Sequence, residues 1–314
     1  MKPCTLIVFV FLFLIAGCGS PRIAQRPDAE IDRNASAAKS AYADGAMESA
    51  AMFYQKALNR ARLADQPREI SRLAYNLAAC RAQMQKYPEA LELLDEAEFE
   101  SALSGTGFPE AVLLRAEILR HLGRHSEAAA AAKFGLASLD NEKCGSARFQ
   151  LQVFLAELAC DQNDGRLALQ ELDKLDPQLL KSSDANVLAK ATHARGRALL
   201  IEKRANEAAI CFDNAAAFDQ KGRRYPDMAV ALQNAADAYV AAGQRPAAIN
   251  RYYRAARSLF MCGEKTRAQE SFDKARALAQ ESDDKQMLSA LARLKSEIVC
   301  GSGSNPVPAK AQAE

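Results

Sequence analysis

Tryptophan is absent from this chain of 314 residues, histidine occurs only three times, and aromatic residues make up 7% of it. Charge of one sign is lacking too: 41 basic residues stand against 39 acidic ones, a formal net charge of +2. No global field therefore draws the chain to nucleic acid or to an anionic surface, and no nucleic-acid partner is expected. Catalytic signatures are missing as well. The chain has no Gly-x-Ser-x-Gly, no glycine-rich loop ending in Gly-Lys, no His-Glu-x-x-His and no Cys-x-x-Cys. Those absences exclude the common hydrolase, nucleotide-binding, zinc-protease and dithiol chemistries. Long apolar runs are limited to one, Leu6 to Ile15. At ten residues it falls short of the roughly 20 that a membrane-spanning helix needs.

That run is the first positive signal. Lys2 precedes it and Ile15-Ala16-Gly17-Cys18 follows it, the layout of a secretory signal with a small-residue cleavage site. Small residues directly before a cysteine resemble the bacterial lipobox. The resemblance implies that residues 1–17 are removed and that Cys18, acylated on sulfur and then on nitrogen, becomes the N-terminus. Multiple acyl chains give stable anchoring where one is marginal. Gly19 follows where an aspartate would imply retention at the inner membrane, so the expected address is the outer membrane, facing the periplasm. Residues 18–27 form a short linker that keeps the folded part near the surface.

The rest of the chain is rich in alanine, with glycine and proline sparse inside long stretches. Small residues with little helix penalty favour closely packed helices. A repeat runs through them. Ala50, Ala90, Ala128, Ala168, Ala208 and Ala248 are spaced 40, 38, 40, 40 and 40 residues apart. Four positions on stand Tyr54, Leu94, Ala132, Leu172, Phe212 and Tyr252. Twelve positions before each alanine stand Ala38, Ala78, Ala116, Ala156, Gly196 and Ala236. Residues at i and i+4 share a helix face, so the pattern predicts helical hairpins nested through small residues, Gly196 against Ala208 among them. Gly45, Gly123 and Gly243 mark left-handed helix ends. Ala268, Phe272 and Ala275 repeat the second-helix pattern only 20 residues after Ala248. Tyr252–Met261 is therefore expected to serve two units at once. A final amphipathic segment, Asp284 to Ile298, is expected to cap the stack.

Phe53-Tyr54-Gln55-Lys56-Ala57-Leu58, Tyr87-Pro88-Glu89-Ala90-Leu91, and Tyr239 with Gly243 and Ala248 resemble the tetratricopeptide repeat. The resemblance covers residues 28 to 281 and implies an all-α, right-handed solenoid of about seven helical hairpins. The repeat domain is expected over residues 28–299 and a disordered tail over 300–314. The period near 40 exceeds the family's usual 34, and Ala132 and Gly165 stand where an aromatic is common. The Ser-x-x-Lys of Ser36-Ala37-Ala38-Lys39 matches penicillin-binding enzymes without their companion motifs and falls in the first repeat helix.

No catalytic residue, metal or cofactor is expected, and the protein is read as no enzyme. His121 and His125 are four apart, but Gly123 between them breaks the helix they would need to share. Most cysteines beyond Cys18 read as free thiols inside repeat helices. Lys221-Gly222-Arg223-Arg224-Tyr225 reads as basic residues at a helix end closed by Gly222. The family resemblance puts first helices on the concave surface. There Glu110, Glu117, Glu157 and Asp161 form an acidic stretch beside Lys190, His193 and Arg197, and these seven are the candidate partner-binding residues. Lys190 and Arg197 are expected to be exposed and unneeded for packing.

The resulting expectation is a lipid-anchored periplasmic adaptor that holds another protein in an envelope complex. A membrane-anchored regulator without the lipid, or an accessory subunit that modulates an envelope enzyme, are the other readings the residues allow. Cys18→Ser is predicted to abolish metabolic labelling with palmitate and to release the protein from membranes. A Cys18→Ser protein that stays labelled and membrane-bound disproves the lipobox.

Overall fold

The computed structural model describes residues 28–105, 108–138, 145–175 and 184–300, with side chains through residue 296. The expected signal segment, the lipobox at Cys18, the linker, Cys144 and the tail from Gly301 lie outside the described residues. Among those residues the protein is all helix, in fourteen helices. The first half contains α1 (Ala29–Ala43), α2 (Met47–Leu63), α3 (Pro67–Gln83), α4 (Tyr87–Leu103), α5 (Pro109–His121), α6 (His125–Ser138) and α7 (Gly145–Asp161). The second contains α8 (Gly165–Asp173), α9 (Ala185–Ile201), α10 (Ala205–Lys221), α11 (Tyr225–Ala241), α12 (Arg245–Met261), α13 (Lys265–Glu281) and α14 (Lys285–Cys300). Consecutive helices pack in antiparallel pairs and each pair packs on the next, giving an all-α helical-repeat solenoid of seven hairpins. No described helix is long and apolar enough to cross a membrane.

The underlying period is a single helix. From His125 to Lys285 every helix starts 20 residues after the last, and most are 17 residues long with a three-residue turn. Ala268 is thus the fourth residue of α13, as Ala248 is of α12 and Ala208 of α10. Tyr252–Met261 is the end of α12, which packs on both α11 and α13, while α14 packs more lightly on α13 at the end of the stack.

The turns explain why the period holds. The middle residue of each described interhelix turn takes a left-handed φ. Glycine fills four of these places, Gly45, Gly123, Gly243 and Gly263, and Asp65, Gln85, Asn163, Lys203, Arg223 and Asp283 fill the others with φ between 48° and 61°. At the turn after α9, Arg204 N–H donates to Leu199 O at 2.8 Å and Lys203 N–H to Leu200 O at 3.0 Å. This double closure satisfies the last carbonyls of one helix and places the next residue as the N-cap of the following one. Gly222 ends α10 as its C-cap, as expected, with φ of −80°, and the left-handed residue is the next one, Arg223, at +56°. A Cβ at Gly222 would lie 2.6 Å from the Arg224 guanidinium. The glycine instead leaves room for Arg224 to fold back onto Asp219, 2.5 Å away.

The repeated alanines are the core. Ala50, Ala90, Ala128, Ala168, Ala208 and Ala248 are each 0% exposed. Their upstream partners are buried with them, and here glycines mark the tightest contacts. At Gly135 an added Cβ would come within 2.7 Å of Val112, and at Gly165 within 2.7 Å of the Ala198 carbonyl. Backbone approach of that kind is why Gly165 stands where an aromatic was expected. Gly196 was expected to meet Ala208, but its nearest neighbour is the ring of Phe212, which would lie 2.8 Å from an added Cβ. Phe212 is itself 1% exposed and has nowhere to retreat. Gly196→Ala is therefore expected to overpack this contact and cost about 1–3 kcal/mol. Unchanged thermal unfolding of Gly196→Ala shows the pairing to be wrong.

Candidate functional site

The first helices of successive hairpins approach one another directly, α5 on α7 and α7 on α9. Their outward positions meet in a shallow groove. One hollow is lined by Leu113 and Glu117 of α5, Val153, Phe154 and Glu157 of α7, and Val187 and Lys190 of α9. A second, of about 220 Å³, continues from Glu157 and Lys190 past His193 to Asp219, Arg224, Asp227 and Val230. Of the seven candidate residues, four line these hollows: Glu117, Glu157, Lys190 and His193. Glu110 is exposed at the start of α5, outside both hollows. Asp161 and Arg197 lie outside them too, engaged with each other.

The charge layout differs from two opposed stretches. Arg120, a residue the sequence pattern did not single out, donates to Glu157 at 2.9 Å and to Asp161 at 2.5 Å. Arg197 donates to the other Asp161 oxygen at 2.8 Å. The chain Glu157–Arg120–Asp161–Arg197 thus ties α5, α7 and α9 together. Arg197 is not the free cation expected from sequence; it is half-buried and part of the layer's own bonding. Burial works to raise the Asp161 carboxyl, but hydrogen bonds from Arg120 and Arg197, with their charges, outweigh it and hold it below its ordinary range. The only hint of Arg120's role was its offset, 41 residues before Asp161, which is about one repeat.

His193 is similarly committed. Asn234 Nδ2 lies 2.7 Å from His193 Nε2, which accepts the bond in its neutral Nδ1–H tautomer. Its ring packs edge-on to Phe212, with centroids 5.2 Å apart. Burial, helped by the Arg197 charge, pushes its pKa down to about 4, so it lines the groove as a neutral group. His121 stacks on Tyr87 at 6.1 Å, across the turn from His125. Among the described residues no cluster of histidine, cysteine, aspartate or glutamate could hold a metal ion. Cys80, Cys160, Cys211 and Cys262 are unpaired thiols. Burial pushes Cys80 and Cys160 up to about 11, so neither is a ready thiolate.

Two charged groups in the groove remain uncommitted among the described residues. Lys190 is exposed and makes no ion pair, and Glu117, half-buried, makes neither a hydrogen bond nor a close ion pair. Burial raises the Glu117 carboxyl, Lys190 pulls it back and Glu157 pushes it up again, with a net upward shift.

The sequence matches no family model and no curated protein. Solved structures do share its fold. A tetratricopeptide repeat protein from Parabacteroides merdae superimposes with a TM-score of 0.50 at 17% identity, over 86% of this chain and 100% of its own. The C-terminal part of a TPR repeat-containing protein from Cytophaga hutchinsonii gives 0.53 at 14%, over 88% and 96%. A Rap protein complexed with competence and sporulation factor gives 0.52 at 14%, over 86% and 97%. By fold, this is a tetratricopeptide-type helical-repeat protein.

The Glu117 shift yields a prediction with a definite sign. A folded-state pKa above the unfolded value means that folding loses stability as pH rises from about 4.5 through the folded value. Glu117→Gln is therefore expected to raise the unfolding temperature at pH 7 and to leave it unchanged below pH of about 4. A lower melting point for Glu117→Gln at pH 7 overturns the assignment of an uncompensated carboxylate.

Proposed function

We propose that this protein is a lipid-anchored, periplasm-facing scaffold that holds another protein along its first-helix groove, as part of an envelope assembly. The observation that carries the reading is the groove. Two hollows join at Glu157 and Lys190, apolar side chains line them, and Glu117 and Lys190 have no partner among the described residues. Helical-repeat stacks present extended surfaces of this kind. Extended or helical segments dock on them by apolar contact, with charge fixing the register. The Rap protein of the same fold, solved with its factor bound, supports a binding role. The groove's histidine is neutral and occupied by Asn234, which supports binding over catalysis. The anchor rests on Ile15-Ala16-Gly17-Cys18, and Gly19 favours the outer membrane.

Lys190 is the place to test this, because Arg197 is already paired with Asp161. With Lys190→Glu, crosslinking in intact cells is expected to recover less of the partner from a normally folded protein. Wild-type recovery should fall as salt rises. Undiminished recovery with folded Lys190→Glu moves the binding surface elsewhere. The outer faces of the second helices, where Leu63, Phe99, Leu103 and Phe134 are exposed, would then be next in line.

A further inference from the structure

Glu117 stands apart in its layer. Among the described residues, the other half-buried carboxylates of the first helices have cationic partners: Glu69 has Arg72, Glu157 has Arg120, and Asp273 has Arg276. A carboxylate held in a partly apolar hollow without a counter-charge costs the fold stability. Lys190 faces the same hollow, near enough to act on Glu117 without closing an ion pair. Val153 and Phe154, each 3% exposed, close the bottom of that hollow, and partly exposed Leu113 gives it an apolar wall. On the far side, toward α3, the acidic character continues. Glu110 is exposed, and the Tyr75 phenol, pushed up first by burial, also feels Glu110 and Glu117.

Resting on the reading of this groove as a protein-binding surface, we infer that its occupant is a segment of mixed charge. A basic side chain meets Glu117, an apolar one packs on Leu113, and an acidic one meets Lys190. The basic residue supplies the direct ion pair that Glu117 lacks among the described residues. Arginine suits it best, since a guanidinium donates two parallel bonds to a carboxylate and sheds water more readily than an ammonium. The order of charges fixes the direction of the segment: basic toward α5, acidic toward α9. A wholly acidic segment meets Glu110 and Glu117 as like charges, and a wholly basic one meets Lys190, so both are disfavoured.

The test is selection of phage-displayed random dodecapeptides on the full chain, with crosslinks from the selected peptides mapped by mass spectrometry. Peptides crosslinking to α5, α7 and α9 are expected to share a basic–apolar–acidic order. A synthetic consensus peptide should bind about tenfold more weakly to Glu117→Gln, equal to about 1.4 kcal/mol. The double variant Glu117→Lys, Lys190→Glu should select the opposite order of charges. Groove-bound peptides without that order, or an Arg-bearing peptide indifferent to Glu117→Gln, overturn the inference and leave the groove reading in place. Peptides that crosslink elsewhere, or a library that yields no binders, overturn the groove reading and this inference with it.

Discussion

Everything in this structure depends on helices approaching one another at the backbone through alanine and glycine. A hairpin of two 17-residue helices cannot bury its own apolar faces, and it becomes stable only when the next hairpin nests against it. The completely buried alanines at the fourth position of successive second helices make that nesting possible. Gly135, Gly165 and Gly196 mark the places where even a methyl group would not fit. Large residues such as Phe212 and Tyr252 then fill the space that remains on the same stripe, 1% and 3% exposed. Close packing makes such contacts intolerant of added volume.

The same nesting creates the groove. Once one face of each first helix is committed to the core, the opposite residues of α5, α7 and α9 are brought side by side. Charges that are far apart in sequence then bond laterally. Arg120 and Arg197 bind the carboxylates of α7 and so hold the layer together. Pairs this exposed contribute modestly to stability individually. Their larger effect is to determine which charges are left over for a partner. His193 is also withdrawn, neutral and hydrogen-bonded to Asn234. What is left is an apolar wall at Leu113 with Glu117 and Lys190 beside it.

Parts of this were open to reading from the chain alone. Glycine at positions 45, 123 and 243 marked three helix ends, because only glycine takes a left-handed φ without strain. The equivalent ends at Gln85 and Lys203 carry no glycine, since tertiary packing imposes the conformation on residues that do not prefer it. The helix-long period of 20 was masked by the same effect. It is carried by turns whose sequences differ, and by a buried stripe that first and second helices share.

The sequence by itself determined the all-helical class, the repeat, and the alanine positions that form the core, because these follow from side-chain size and spacing along one helix. Together with the resemblance to the tetratricopeptide repeat, it also placed Glu117, Glu157, Lys190 and His193 on a common face. Only the tertiary structure decided which of those residues are available. Ion pairs such as Arg120 with Asp161 join residues one repeat apart, and their formation depends on rotamers and interhelix distance, neither of which is written in the spacing of residues along the chain.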